Sequence, residues 1–168
     1  MTLTHPAVAL RPPRNRVERR AVGWWTARAL AVAVPAAAAP AATALFVPAP
    51  YSAWLLLAAA ALGAAGAAAA AVMPVWRYRV HRWEVTDTAV YTASGWLWQE
   101  WRVAPMSRVQ TVDTQRGPLQ RLFGLAQITV TTASAAGPVV IDGLDGRRAD
   151  AIAAELTEAT GRTPGDAT

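Results

Sequence analysis

No Asp, Glu, Lys, Arg or His occurs between Arg28 and Arg77. The uncharged stretch, residues 29–76, is built mainly of Ala, Leu, Val, Gly and Pro. Wound as one helix it would be roughly 70 Å long at about 1.5 Å per residue. A bilayer's hydrocarbon core is about 30 Å thick and needs roughly 20 residues. The stretch is therefore too long for one crossing and suits two with a tight turn between them. Pro48 and Pro50 fall near its middle, where each removes a helix donor and fixes φ. The pattern predicts a transmembrane helical hairpin, with residues 26–45 going out, 46–51 turning and 53–73 coming back.

The formal net charge of +5 is unevenly placed. Arg11, Arg14, Arg16, Arg19, Arg20 and Arg28 face a lone Glu18 at the N-terminal end, and from Arg77 onward arginines and acids balance. Arginines flank both open ends of the hairpin and none lies in its turn. By the positive-inside rule, both termini are expected on the cytoplasmic side of the membrane. The same six arginines would also be drawn to anionic lipid. A basic domain for nucleic acid would carry its surplus on the folded part, so no nucleic-acid partner is expected. Arg19-Arg20 lacks the rest of a twin-arginine export pattern. A cleaved signal peptide fits poorly with the long basic lead and the second apolar span behind it.

Trp24 and Trp25 open the first span, where indoles favour the headgroup zone, and Arg28 can snorkel back to it. Gly63 and Gly66 in the second span would let the two helices of the hairpin approach closely, or would serve a partner helix. The N-terminal tail reads as disordered up to a short juxtamembrane turn.

From residue 78 the pattern becomes alternating, the mark of half-buried strands. Six short strands are expected, at residues 78–85, 89–93, 96–103, 108–115, 127–132 and 139–141. A helical turn at 119–123, stopped by Gly124, stands between the fourth and fifth. A closing helix follows, capped by Asp145, with Ala149, Ile152, Ala153 and Leu156 on one face and Gly161 at its end.

Catalysis needs a nucleophile, a base or a metal site in a tuned environment. This sequence has no Cys, no Lys, four Ser outside any nucleophile motif, and two His, of which His5 lies in the tail. Its acids are scattered. Neither an enzyme, nor a cofactor, nor a metal site is expected. The alternation instead singles out aromatics: Trp101 and Val103 would face the core, leaving Trp96 and Trp98 on the wetter face. That pair either covers a neighbouring strand or the closing helix, or forms an exposed tip that touches headgroups or another protein.

The run from Arg108 to Ala133 resembles the YdbS-like bacterial pleckstrin-homology (PH) domain membrane proteins. Its most specific part is Gln110 with Gly117-Pro118-Leu119 and Leu122-Phe123-Gly124. The preceding block and the two-span N-terminus are similar too. The resemblance implies an α-helical transmembrane hairpin followed by a mainly-β PH-like domain: two bent antiparallel sheets of about seven strands, capped by a C-terminal α-helix. A strand missing from the six is then expected around residues 77–90. The signature residues are expected to be architectural, with Leu119, Leu122 and Phe123 plugging the sheet edge.

The expected organisation is a basic cytoplasmic tail (1–23), a two-span hairpin (24–76), the PH-like domain (77–161) and a loose tail (162–168). Phosphoinositide specificity is not implied, because Arg77, Arg79 and Arg82 already serve as the positive-inside flank. The expected role is a non-enzymatic interaction module whose partners are other PH-domain membrane proteins or copies of itself. The alternative is contact with membrane lipid, through an anionic headgroup held by Arg77, Arg79, Arg82, Trp96 and Trp98.

Overall fold

The computed structural model describes residues 12–134 and 137–162. Most of the tail read as disordered, including Arg11, lies outside the described residues, as does nearly all of the C-terminal tail. Two helices dominate the first half, α1 (Arg20–Ala44) and α2 (Tyr51–Val80). Both are long and apolar enough to cross a membrane, with mean hydropathies of 1.3 and 2.1. The turn between them falls where the prolines placed it.

Small residues set how closely the two helices pack. A Cβ placed on Gly66 would lie 2.4 Å from the Ala33 Cβ, and one on Gly63 would lie 3.7 Å from that of Ala37. These glycines thus face the other helix of the same chain. Nearer the domain, the Thr26 hydroxyl donates to the Ala70 carbonyl over 3.4 Å.

Seven strands follow the PH-like plan. A four-stranded antiparallel sheet has the order β1 (Asn15–Arg16), β2 (Arg82–Val85), β3 (Ala89–Gly95), β4 (Gln99–Pro105). A three-stranded sheet has β5 (Val109–Gln115), β6 (Leu125–Thr132) and β7 (Val139–Asp145). The short helix α3 (Pro118–Leu122) joins β5 to β6, and α4 (Gly146–Arg162) closes the chain. Asp145 caps α4 as expected, its Oδ1 accepting the Arg147 and Arg148 backbone N–H groups. Ala149, Ile152 and Leu156 of α4 are buried against Leu125, Ile128 and Val130 of β6 and Ile141 and Leu144 of β7 in one core.

Five expectations need correction. The seventh strand is not near residues 77–90. It is Asn15–Arg16, which pairs with Trp83 and Arg82 at the margin of the first sheet. A two-residue strand has no periodicity to display, so only its partner reveals it. The first expected strand also begins four residues late: α2 runs on through Arg77, Tyr78 and Arg79, and His81 N still donates to the Arg77 carbonyl over 2.8 Å. A few alternating residues fit the last turn of a helix as well as the start of a strand.

Trp24 and Trp25 are not exposed to lipid headgroups. They are 4% and 1% exposed, inside the domain core with Val17, Ala21 and Trp83. The first two turns of α1 therefore belong to the folded domain, which is wider than residues 77–161. Gly143 allows this docking: its φ is +73°, and a Cβ there would meet the Ala21 Cβ at 3.0 Å. Glu18 N donates to the Gly143 carbonyl at the same place.

Trp101 is exposed and Val103 only half-buried, because the register sets Ala104 beside Val90 on the core face and alternation turns Val103 and Trp101 to the opposite one. The strand's core contribution is Ala104, followed by Met106. Finally, Leu122 is 80% exposed and plugs nothing; Gln120 is the buried residue of α3. In a helix of five residues only one side can face the sheet, and Leu119, Gln120 and Phe123 occupy it.

Candidate functional site

The signature segment is a joint between the sheets and the helical hairpin. Gln120 folds back so that its Oε1 accepts the Gly117 N–H at 2.8 Å, while its Nε2 donates to Asp142 Oδ1 at 3.2 Å. A buried amide held on both sides fixes α3 against β7. The Phe123 ring then lies on α1 at Gly23, where an added Cβ would meet its edge at 3.0 Å. Gly124 turns the chain with φ +64° and leaves room for Arg20. Gln110 is exposed and sits where the β5–β6 register shifts between Val109 and Thr111. A bulge there bends the strand.

The basic flank does not form one patch. Arg77 lies over the Trp25 ring at 4.7 Å, and the His81 ring sits 5.1 Å from the same indole. His81 Nδ1 is 2.9 Å from the Arg77 carbonyl. Burial, reinforced by the Arg77 charge, pushes the His81 pKa down to about 4. Asp142 is pushed upward by its burial, against the pull of Arg77, the Gly143 N–H, Arg28 and Gln120. Arg79 is exposed and Arg82 half-buried. The arginines of the lead are also built into the fold: Arg14 meets Glu84, Arg16 lies over Tyr78, Arg20 pairs with Asp145 and Arg28 lies over Trp24. Arg19 is exposed.

Trp96, Leu97 and Trp98 form the tip of the β3–β4 hairpin, not the start of a strand. They are 41%, 70% and 88% exposed, so neither a strand nor α4 covers them. The turn is tightly specified: Gly95 has φ +113°, and a Cβ there would overlap the Trp98 carbonyl oxygen at 1.8 Å. The register gives the tip a direction. Arg82, two residues past the end of α2, pairs with Ala93, so β3 runs back toward α2 and the tip projects beyond that point.

Two features had no sequence signal. A largely apolar crevice of about 410 Å³ lies between α1 and α3, lined by Trp24, Arg28, Pro118, Leu119, Gln120 and Gln127. A cavity of about 360 Å³ on another side gathers Arg20, Arg116, Arg121 and Arg147. Their spacing in sequence is irregular, and only the fold brings them together. Among the described residues, no group of His, Cys, Asp and Glu could hold a metal ion.

The family description "Bacterial PH domain" matches residues 27–160. The chain belongs to this family. The match takes in most of α1, all of α2 and every strand but β1. Over 63 residues the chain is 36% identical to the UPF0699 transmembrane protein YdbS of Bacillus subtilis (strain 168). That stretch covers 38% of this chain and 40% of the relative's own length. No solved structure matches. The family, the relative and the two apolar helices together describe a membrane protein with a PH-like domain.

Proposed function

We propose that this bacterial PH-domain protein is a non-enzymatic interaction and scaffolding module at the plasma membrane, crossing twice with both termini cytoplasmic. One observation carries the proposal: the domain is fixed to the hairpin at two points. Trp24 and Trp25 of α1 sit in its core, and α2 leads into β2 through His81 alone. Its binding surfaces are thereby held at a set height and angle over the lipid. The open margin at β4, with Trp101 exposed, is the surface offered to a partner. The partners are other PH-domain membrane proteins or second copies. The test is a photo-crosslinking residue at position 101 of the full-length chain in native membranes. A discrete adduct with one membrane protein, or with itself, is the expected result; adducts to lipid alone would count against it.

A second reading rests on the direction of the Trp96-Leu97-Trp98 tip, which places indoles beside the end of α2, where amphipathic rings favour the interface. The chain has no Cys, so a dye can be placed uniquely on a Trp98→Cys variant. In nanodiscs the dye should be shielded from an aqueous quencher. Full quenching there, equal to that of a dye on an exposed β5 residue, would remove the lipid reading.

A further inference from the structure

Arg20, Arg116, Arg121 and Arg147 come from four separate parts of the chain: α1, the β5–α3 connection, α3 and the start of α4. They line one cavity of about 360 Å³ with Gly124, Leu125, Asp145 and Gly146. Two of the four are neutralised. Arg20 Nη2 reaches Asp145 Oδ2 at 2.5 Å, and Arg116 Nη2 reaches Asp150. Arg121 and Arg147 have no side-chain hydrogen bond or ion pair among the described residues. The cavity therefore holds a surplus of two positive charges, counting four arginines against Asp145 and Asp150.

The fixed arginines are held in place. Arg116 Nη2 also donates to the Gly146 carbonyl at 3.0 Å. Glycines make room for both: a Cβ on Gly124 would meet Arg20 Nη1 at 2.7 Å, and one on Gly146 would meet Arg116 Cζ at 3.4 Å. Asp145 lies in the lining, yet both of its oxygens are engaged, Oδ2 by Arg20 and Oδ1 by the α4 backbone. Its carboxyl is held below the usual range, chiefly by the Arg20 hydrogen bond, which keeps it ionised and keeps Arg20 in position. The Arg147 and Arg148 N–H groups are taken by this cap, and that of Gly146 donates to the Gly124 carbonyl. Recognition thus falls to guanidinium forks, whose planar donors match phosphate oxygens in pairs.

We propose that this cavity binds a phosphate group carrying two or more negative charges. Arg121 and Arg147 are the closing contacts and Arg20 and Arg116 the pre-positioned ones. The site is independent of the β4 margin and of the Trp96–Trp98 tip, and its failure would leave both untouched. The phosphate arrives either on a lipid headgroup or on a soluble molecule.

The experiment uses the full chain in phosphatidylcholine nanodiscs, titrated with inorganic pyrophosphate by calorimetry. Saturable binding is expected, with affinity lowered at least about tenfold by the Arg121→Ala/Arg147→Ala double variant. Both side chains are exposed, so the variant's melting temperature without ligand should equal that of the original chain. Arg108→Ala, an exposed arginine outside the cavity lining, should leave pyrophosphate binding unchanged. Absence of saturable binding overturns the proposal, and so does equal affinity in the double variant. Discs containing phosphatidic acid separate the sources. Weaker pyrophosphate binding in these than in discs with phosphatidylserine at matched surface charge assigns the phosphate to lipid; equal binding in the two assigns it to a soluble molecule.

Discussion

The Arg77 guanidinium lies 4.7 Å over the ring of Trp25, joining the end of the second long helix to the start of the first. Trp25 is 1% exposed and also touches His81 and Trp24. The contact ties the hairpin to the domain core, so damage there should affect both.

Trp25→Ala should destabilise the protein by about 3–5 kcal/mol, the usual range for removing a large buried aromatic. Arg77→Ala should cost less, on the order of 1–2 kcal/mol for a partly desolvated cation over an indole. Thermal melts of both variants and of the double variant in detergent would give the coupling between them. A fragment beginning at Arg77 lacks Val17, Ala21, Trp24 and Trp25 and should show no cooperative transition.

Acid should weaken the fold through His81. Its pKa in the folded protein, about 4, lies below its ordinary value of 6.5. Between those values the unfolded chain binds the proton that the folded chain refuses. Stability is therefore full above about pH 6.5 and falls as pH drops toward 4, by on the order of 3 kcal/mol. Asp142 works the other way at the acid end. Burial raises its pKa above 3.8, so the folded state takes up that proton more readily as pH falls. His81→Phe should flatten the pH 4–6.5 profile of denaturation midpoints, leaving the opposite slope from Asp142.

Gln120→Leu removes the acceptor for Gly117 N–H and a donor to Asp142 while keeping the volume. The variant should lose about 1–3 kcal/mol, because the part-buried Gly117 N–H loses its acceptor and Asp142 Oδ1 is left with the Gly143 N–H alone. Leu122→Ala, one position past Arg121 and exposed, should change stability by less than about 0.5 kcal/mol. Chemical denaturation of the two variants side by side would check the contrast.

Gly66→Leu should loosen the helical hairpin, since even a methyl at that position would overlap Ala33. A destabilisation of about 1–3 kcal/mol is expected for such overpacking. Crosslinking of cysteine pairs introduced across the two helices would fall in parallel.

Charge and periodicity made much of this architecture legible. The uncharged stretch announced the hairpin, its prolines marked the turn, and the face of Ala149, Ile152 and Leu156 announced α4. Two kinds of feature stayed hidden. Asn15–Arg16 is too short to carry a pattern, and Trp24 and Trp25 carry the composition of a lipid interface while serving as core. An indole near a run of alanines looks the same in either place, and only the sheet lying over it decides. The arginine cavity was hidden for a related reason. Its members are scattered singly in sequence, and the tertiary fold alone makes them neighbours. Gln120 shows the limit of hydrophobic pattern: inside a five-residue helix, hydrogen bonding placed an amide inward and left Leu122 outside.

With only His81 between the last turn of α2 and the first residue of β2, the sheet has no swivel of its own. A change in tilt of the long helices, whether from thinner lipid or from a neighbour leaning on them, must rotate the β-domain through a comparable angle. The Trp98 end of its hairpin and the β4 margin would then sweep together, as the far end of a lever moves when its short arm is pressed.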